Sequence, residues 1–75
     1  MLLNIEIRAD EVTTYNVDPE DTILSLIEKI QPMLKVPVKR ILLIRGIENL
    51  EKDRTFGSYN IQEGDYLIVS TIIFI

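Results

Sequence analysis

The period of the hydrophobic pattern changes twice along the chain, and the order of these periods limits the folds that the sequence can adopt. Near the amino terminus Leu3, Ile5 and Ile7 alternate with other side chains, which is the period-two pattern of a half-buried strand. A stretch with helical spacing follows, and residues 40–45 and 66–72 then return to strand patterns. Asn49 and Leu50 could add a short strand. The order predicts a mixed sheet wrapped around one helix, an α+β fold.

The first two strand patterns are predicted to pair as a hairpin. The second pattern covers residues 12–17, and the polar residues 8–11 separate it from the first. Asp10 lies in this connection, and aspartate tolerates the left-handed backbone that a bulged hairpin requires. Gly46 and Gly64 mark two later turns, since glycine adopts positive φ without steric cost.

The helical segment has an apolar stripe and a clear start. The apolar side chains at helical spacing are Ile23, Leu26, Ile27, Ile30 and Leu34. Thr22 is placed to cap the amino-terminal end of the helix. The negative charges of Glu20 and Asp21 lie near the same end, where the positive pole of the helix dipole stabilises them. Pro32 disfavours helical geometry at Gln31, so the helix is expected to end or tighten near that residue.

Length and charge exclude several classes of protein. The 75 residues suffice for one small domain, which we place at residues 1–75. Asp and Glu outnumber Lys and Arg by 12 to 8, so neither nucleic acid nor an anionic membrane is an expected partner. The apolar run at residues 66–75 is shorter than the roughly 20 residues of a membrane-spanning helix. The absence of cysteine fits a reducing compartment, so we expect a cytoplasmic protein, with the nucleus as the alternative.

The side chains offer little catalytic chemistry. The chain has no histidine and no cysteine, and its serines have no evident base beside them. Asp18, Glu20 and Asp21 could form a cation site, but a turn followed by a helix start explains the same residues. We therefore expect no enzyme activity, no cofactor and no metal ion.

The sequence resembles ubiquitin without a gap across roughly its whole length. The matching stretches include "VDPEDTI", "EKIQ" and "LEKDRTFGSYNIQEGDYL". The "RT...YNIQ" part is the most specific, because a TLxDYxIxxG-like segment before a final strand is typical of ubiquitin-like domains. The resemblance implies the β-grasp fold, with four to five strands around one helix. It also implies that Tyr59 hydrogen-bonds to backbone in the preceding loop.

The resemblance further implies a set of core positions. They are Leu3, Ile5, Thr13, Tyr15, Val17, Ile23, Leu26, Ile30, Leu43, Leu50, Phe56, Ile61, Leu67 and Val69. Thr13 is the exception in this set, because its side chain is small and polar whereas the others are large and mainly apolar.

Several residues depart from the ubiquitin pattern and point to a non-conjugating type without a carboxyl-terminal Gly-Gly. Ile75 stands at a position that matches a glycine, where a narrow enzyme channel must receive a chain without side chains. Leu42 and Ile72 match arginines that help an activating enzyme to recognise ubiquitin. Among the positions that match the lysines on which ubiquitin chains grow, only Lys29 is a lysine, and Glu6 is one of the replacements.

The outer face of the sheet is the candidate binding surface. Leu42, Ile44, Ile68 and Ile72 are all expected to point outward from neighbouring strands, whereas a solvated sheet face is normally polar. Ile44 matches the centre of the patch through which ubiquitin binds small helical receptors and proteasomal subunits. Arg8 replaces a leucine of that patch and is assigned to the same protein-binding site.

The carboxyl-terminal "STIIFI" continues the apolar face. Strand alternation places Ile72 and Phe74 on one side, and Phe74 is expected to anchor a contact with a partner or support a weak homodimer. A further segment of the same polypeptide could cover this face instead.

These observations favour a non-conjugated ubiquitin-like domain that serves as a docking or adaptor module for other proteins. We expect the amino-terminal module of a larger protein, with a link to the ubiquitin-proteasome system. The alternative is a structural β-grasp subunit of an obligate complex or homodimer, which would self-associate or be unstable when isolated. A modifier with atypical processing is the third reading.

Overall fold

The computed structural model describes residues 1–72, and this part of the chain contains five strands and one α-helix. In chain order these elements are β1 (Leu2–Arg8), β2 (Glu11–Asn16), α1 (Ile23–Leu34), β3 (Ile41–Arg45), β4 (Glu48–Leu50) and β5 (Tyr66–Thr71). Single-turn 3₁₀ helices precede β3 and β5, at Val38–Arg40 and Gly57–Tyr59. The predicted order of elements is confirmed, and the predicted strand limits differ from the observed ones by single residues.

One sheet contains all five strands in the order β2-β1-β5-β3-β4. The central strands β1 and β5 pair in parallel, and the other neighbours are antiparallel. Because β1 and β5 come from opposite ends of the described chain, the long connection between them carries β2, α1, β3 and β4. This mixed sheet with one helix confirms the α+β class and the β-grasp fold.

The β1–β2 hairpin has the irregularity that its connection predicts. Asp10 has a φ of 66°, in the left-handed region. The pairing register shifts between Glu6 and Arg8, which is the sign of a β-bulge. The predicted bulged hairpin is therefore confirmed.

The helix α1 begins as predicted but ends later. The Thr22 hydroxyl accepts a hydrogen bond from the Ser25 N–H at 3.2 Å, which caps the first turn. The expected end near Gln31 is wrong, because the helix continues through Pro32 to Leu34. Proline removes the hydrogen bond to the carbonyl four residues earlier, and here that carbonyl belongs to the exposed Glu28, where water can take its place.

The core lies between α1 and one face of the sheet. The buried apolar residues are Leu3, Ile5, Ile7, Val17, Ile23, Leu26, Ile27, Ile30, Ile41, Leu43, Leu50, Phe56, Tyr59, Ile61, Leu67 and Val69. Thr13 was expected in this core and is exposed, and Tyr15 is only half-buried. Both lie on β2, the strand at one edge of the sheet, whose residues are mostly exposed. The exposure of Thr13 on this edge strand thus agrees with its polar side chain.

Tyr59 fixes the long segment that precedes β5. Its hydroxyl accepts a hydrogen bond from the Glu51 N–H at 2.7 Å, which confirms the predicted contact with the preceding loop. The Arg54 guanidinium lies over the ring at 3.9 Å from its centroid, and Arg45 donates to the Tyr59 carbonyl at 2.8 Å. These contacts hold the segment against the end of β3, and so stabilise the strand that carries the candidate site.

Candidate protein-interaction surface

Strand alternation divides the side chains of β3 and β5 between the core and the opposite face of the sheet. Leu43 and Leu67 are completely buried against the core. Their neighbours Leu42, Ile44 and Ile68 therefore project from the other side, which we call the outer face. Each of these three side chains is half-buried, so it keeps contact with solvent.

The pairing register brings the three aliphatic residues together. Ile44 lies directly opposite Ile68, and Leu42 lies opposite Ser70, the next outward residue of β5. Outward side chains at opposite positions have Cβ atoms about 4.5–5.5 Å apart, within reach of contact. We call Leu42, Ile44 and Ile68 the outer-face cluster.

Two other predicted site residues lie at or beyond the end of β5. The strand ends at Thr71, but the Ile72 N–H still donates to the Arg40 carbonyl at 2.7 Å. Ile72 therefore pairs with Arg40, two residues along the strands beyond the pair of Leu42 and Ser70. Phe74, the predicted anchor, lies outside the described residues, as do Ile73 and Ile75.

Arg8 does not join the outer-face cluster. Its guanidinium donates to the carbonyl of Met33 in the last turn of α1, at 3.2 Å. The carboxyl-terminal end of a helix carries a partial negative charge, which favours this contact. The bulge after Glu6 breaks the regular alternation of β1, and sequence reasoning could not tell where Arg8 would then point.

One row of outward residues crosses the whole sheet through the cluster. In the order of the strands, its members are Val12, Glu6, Ile68, Ile44 and Asn49. Val12 is 48 % exposed, so the apolar surface resumes on the far side of Glu6. A single carboxylate therefore separates Val12 from the two isoleucines, and the row ends at the polar Asn49.

Tyr66 holds the carboxylate in place. Its hydroxyl donates to Glu6 Oε1 at 2.5 Å, although the two residues lie 60 positions apart in the sequence. This hydrogen bond is the main reason why the pKa of Tyr66 is raised above its ordinary value, and the negative charges of Glu6 and Asp10 act in the same direction. The edge of the cluster that faces β1 is therefore acidic.

Ile47 is an exposed apolar residue that sequence reasoning missed. It is 102 % exposed and lies in the two-residue turn between β3 and β4. Gly46 precedes it with a φ of 64°, as the first turn position of a tight hairpin requires. The pair Gly46-Ile47 already indicated this exposed side chain in the sequence, because hairpin turns rarely place a large aliphatic residue beside glycine.

Asp21, one of the acidic residues before α1, stabilises the turn that precedes the helix. Asp21 accepts a hydrogen bond from the Asp18 N–H at 2.9 Å, as expected of a residue that shapes a helix start. Within residues 1–72, no group of three or more potential ligand side chains is placed to hold a metal ion. The same residues include no helix with the length and apolar character needed to cross a membrane.

A known protein-family model matches nearly the whole of the described chain. The model of the Ubiquitin family matches residues 3–71, which include the outer-face cluster and nearly all of the described fold. No curated protein matches the sequence.

Proposed function

The chain belongs to the ubiquitin family, and from this premise we propose that it is a non-conjugated ubiquitin-like domain that docks a protein partner on its outer face. The observation that carries the proposal is the pairing of Ile44 with Ile68, beside Leu42, on the side of the sheet opposite the core. Three adjacent aliphatic side chains on a solvated face are typical of a partner site.

The position of the cluster supports a role in docking. Ile44 matches the centre of the ubiquitin patch that binds small helical receptors and proteasomal subunits. Here Ile68 replaces the histidine of that patch and extends its apolar area, while Arg8 turns toward the helix. This match supports, as part of the proposal, an adaptor role linked to the ubiquitin-proteasome system, with a partner that differs from the standard receptors.

Two residues support the absence of conjugation. Leu42 and Ile72 stand at positions where ubiquitin carries arginines that its activating enzyme recognises. An aliphatic side chain cannot replace the charge-assisted hydrogen bonds of a guanidinium group. The same Leu42 extends the apolar cluster, so one substitution weakens recognition by that enzyme and enlarges the docking surface.

Site-specific photo-crosslinking tests the proposal. In one variant of the chain, benzoylphenylalanine replaces Asn49, which is exposed and lies opposite Ile44. In a second variant, the same group replaces Met33, an exposed residue of α1. We expect the Asn49 probe to capture a partner from cell extract. Excess unlabelled wild-type chain should compete for that partner, and a chain with Ile44→Ala and Ile68→Ala should not.

The outcomes separate docking from its alternatives. Equal competition by the wild-type and doubly substituted chains would contradict docking on the outer face. An adduct between two copies of this chain, with a sedimentation coefficient that rises with concentration, would favour the homodimer. Capture from the Met33 position alone would place the interaction on the helix.

A further inference from the structure

The register of Glu6 determines what a partner of the outer face must carry. Glu6 is the direct neighbour of Ile68 across the parallel β1–β5 pair, and Ile68 is the direct neighbour of Ile44. Adjacent strands lie about 4.8 Å apart, so a molecule that covers Ile44 and Ile68 also covers the Glu6 carboxylate. A carboxylate that loses water without gaining a partner opposes binding.

The described part of the chain supplies no cation for this carboxylate. The ion pairs found within residues 1–72 join Arg45 to Glu48 and Arg54 to Glu51. Arg8, two residues after Glu6 in β1, donates instead to Met33 on the helix. Tyr66 gives Glu6 one hydrogen bond and leaves its negative charge in place.

The row offers apolar surface on both sides of the charge. Ile68 and Ile44 lie on one side of Glu6, and the exposed Val12 lies on the other. A complementary partner thus presents aliphatic side chains with one cation between them. The net charge of −4 also favours the approach of a basic partner.

An α-helix has the dimensions that this row requires. Its pitch is about 5.4 Å, close to the strand spacing of about 4.8 Å, so a helix that lies across the strands advances about one turn per strand. Positions i, i+4, i+7 and i+11 of such a helix then face Ile44, Ile68, Glu6 and Val12 in turn.

We propose that the outer face binds a basic amphipathic helix of a partner protein, in which a lysine or arginine pairs with Glu6 while aliphatic side chains on either side pack against Ile68, Ile44 and Val12. This inference rests on the proposed docking function and adds the chemical class of the partner. It assigns to Glu6 the role of selecting a basic helix against an acidic one.

Two synthetic helices test the inference with the whole 75-residue chain. Both carry leucine at positions i, i+4 and i+11 on an otherwise neutral helix, and they differ only at i+7, which is arginine in one and glutamate in the other. Calorimetric titration gives the two dissociation constants. We expect the wild-type chain to bind the arginine helix about tenfold or more tightly than the glutamate helix, because the pair forms charge-assisted hydrogen bonds.

Three variants show whether Glu6 causes the preference. Glu6→Gln removes the charge with little change in shape, and should bring the ratio of the two constants close to one. Glu6→Arg should invert the preference. Glu28→Arg makes the same change of charge on the exposed side of α1 and should leave the preference as in the wild type.

The results distinguish failure of this inference from failure of the docking function. A wild-type chain that binds the glutamate helix equally or better, or a preference unchanged by Glu6→Arg, would overturn the role of Glu6. If Ile44→Ala then still weakened both helices, docking on the outer face would stand. Binding of neither helix would also overturn the inference, while the photo-crosslinking result would decide the docking function separately.

Discussion

Ile44 on β3 lies directly opposite Ile68 on β5, and both side chains project from the face of the sheet that the helix does not cover. Their chain neighbours Leu43 and Leu67 are completely buried. The same two strands thus build the core with one set of residues and the candidate docking surface with the other. Substitutions on the two faces should therefore have different consequences.

The first prediction compares neighbours on opposite faces of β5. Leu67→Ala should lower the free energy of unfolding by about 2–5 kcal/mol, because it leaves a cavity in a close-packed core. Ile68→Ala should cost much less, since its side chain already contacts solvent. Urea denaturation of both variants measures the difference. A loss from Ile68→Ala as large as that from Leu67→Ala would show that the faces are assigned wrongly.

The second prediction concerns two tyrosine hydroxyls. Tyr59→Phe should lower the free energy of unfolding by about 1–3 kcal/mol, because the Glu51 N–H loses its acceptor inside a segment that Tyr59 holds together. Tyr66→Phe makes the same chemical change at an exposed side chain and serves as the control. The urea midpoint of Tyr66→Phe should stay near that of the wild type. Equal midpoints for the two variants would contradict a structural role for the Tyr59 hydroxyl.

The third prediction follows the pKa of Tyr66, which its hydrogen bond to Glu6 raises. Glu6→Gln should return this pKa toward the ordinary tyrosine value of about 10. The bond favours the neutral phenol, so the small stabilisation that it gives at this exposed side chain is present below that ordinary value and is lost as the pH rises through the raised one. Carbon-13 NMR of the tyrosine Cζ atoms over a pH series reports the titration. A Tyr66 pKa that is the same in Glu6→Gln would mean that the contact does not form.

Sequence reasoning identified most of the fold because the fold depends on local patterns. Alternation revealed the strands, and the spacing of Ile23, Leu26 and Ile30 revealed the helix. Pro32 misled the prediction of the helix end, since its effect depends on whether the Glu28 carbonyl can reach water. Thr13 was assigned to the core by resemblance alone, and its position on an edge strand became clear only from the sheet order.

The candidate site was only partly predictable, because it depends on contacts between distant parts of the chain. Leu42, Ile44 and Ile68 could be assigned to the outer face by counting residues along each strand. The pairing of Glu6 with Ile68 joins strands from opposite ends of the described chain, and no local pattern specifies that register. The turn of Arg8 toward Met33 depends on a bulge whose geometry the sequence does not specify.

The fourth prediction tests the proposed loss of recognition by ubiquitin-activating enzyme. Two chains both carry Ile75→Gly and one added glycine, and only the second also carries Leu42→Arg and Ile72→Arg. With ubiquitin-activating enzyme and ATP, the first should form thioester much more slowly than the second, because it lacks the two guanidinium groups. A non-reducing gel measures the adduct. Equally fast charging of both chains would show that Leu42 and Ile72 do not prevent recognition.

The most direct test of docking on the outer face is the dissociation constant of the photo-crosslinked partner, measured by calorimetry for three chains. The chain with Ile44→Ala and Ile68→Ala should bind at least about tenfold more weakly than the wild type, because it loses the centre of the contact. Met33→Ala truncates an exposed apolar side chain on α1 and should bind as the wild type does. Equal constants for the wild type and the doubly substituted chain would contradict the account.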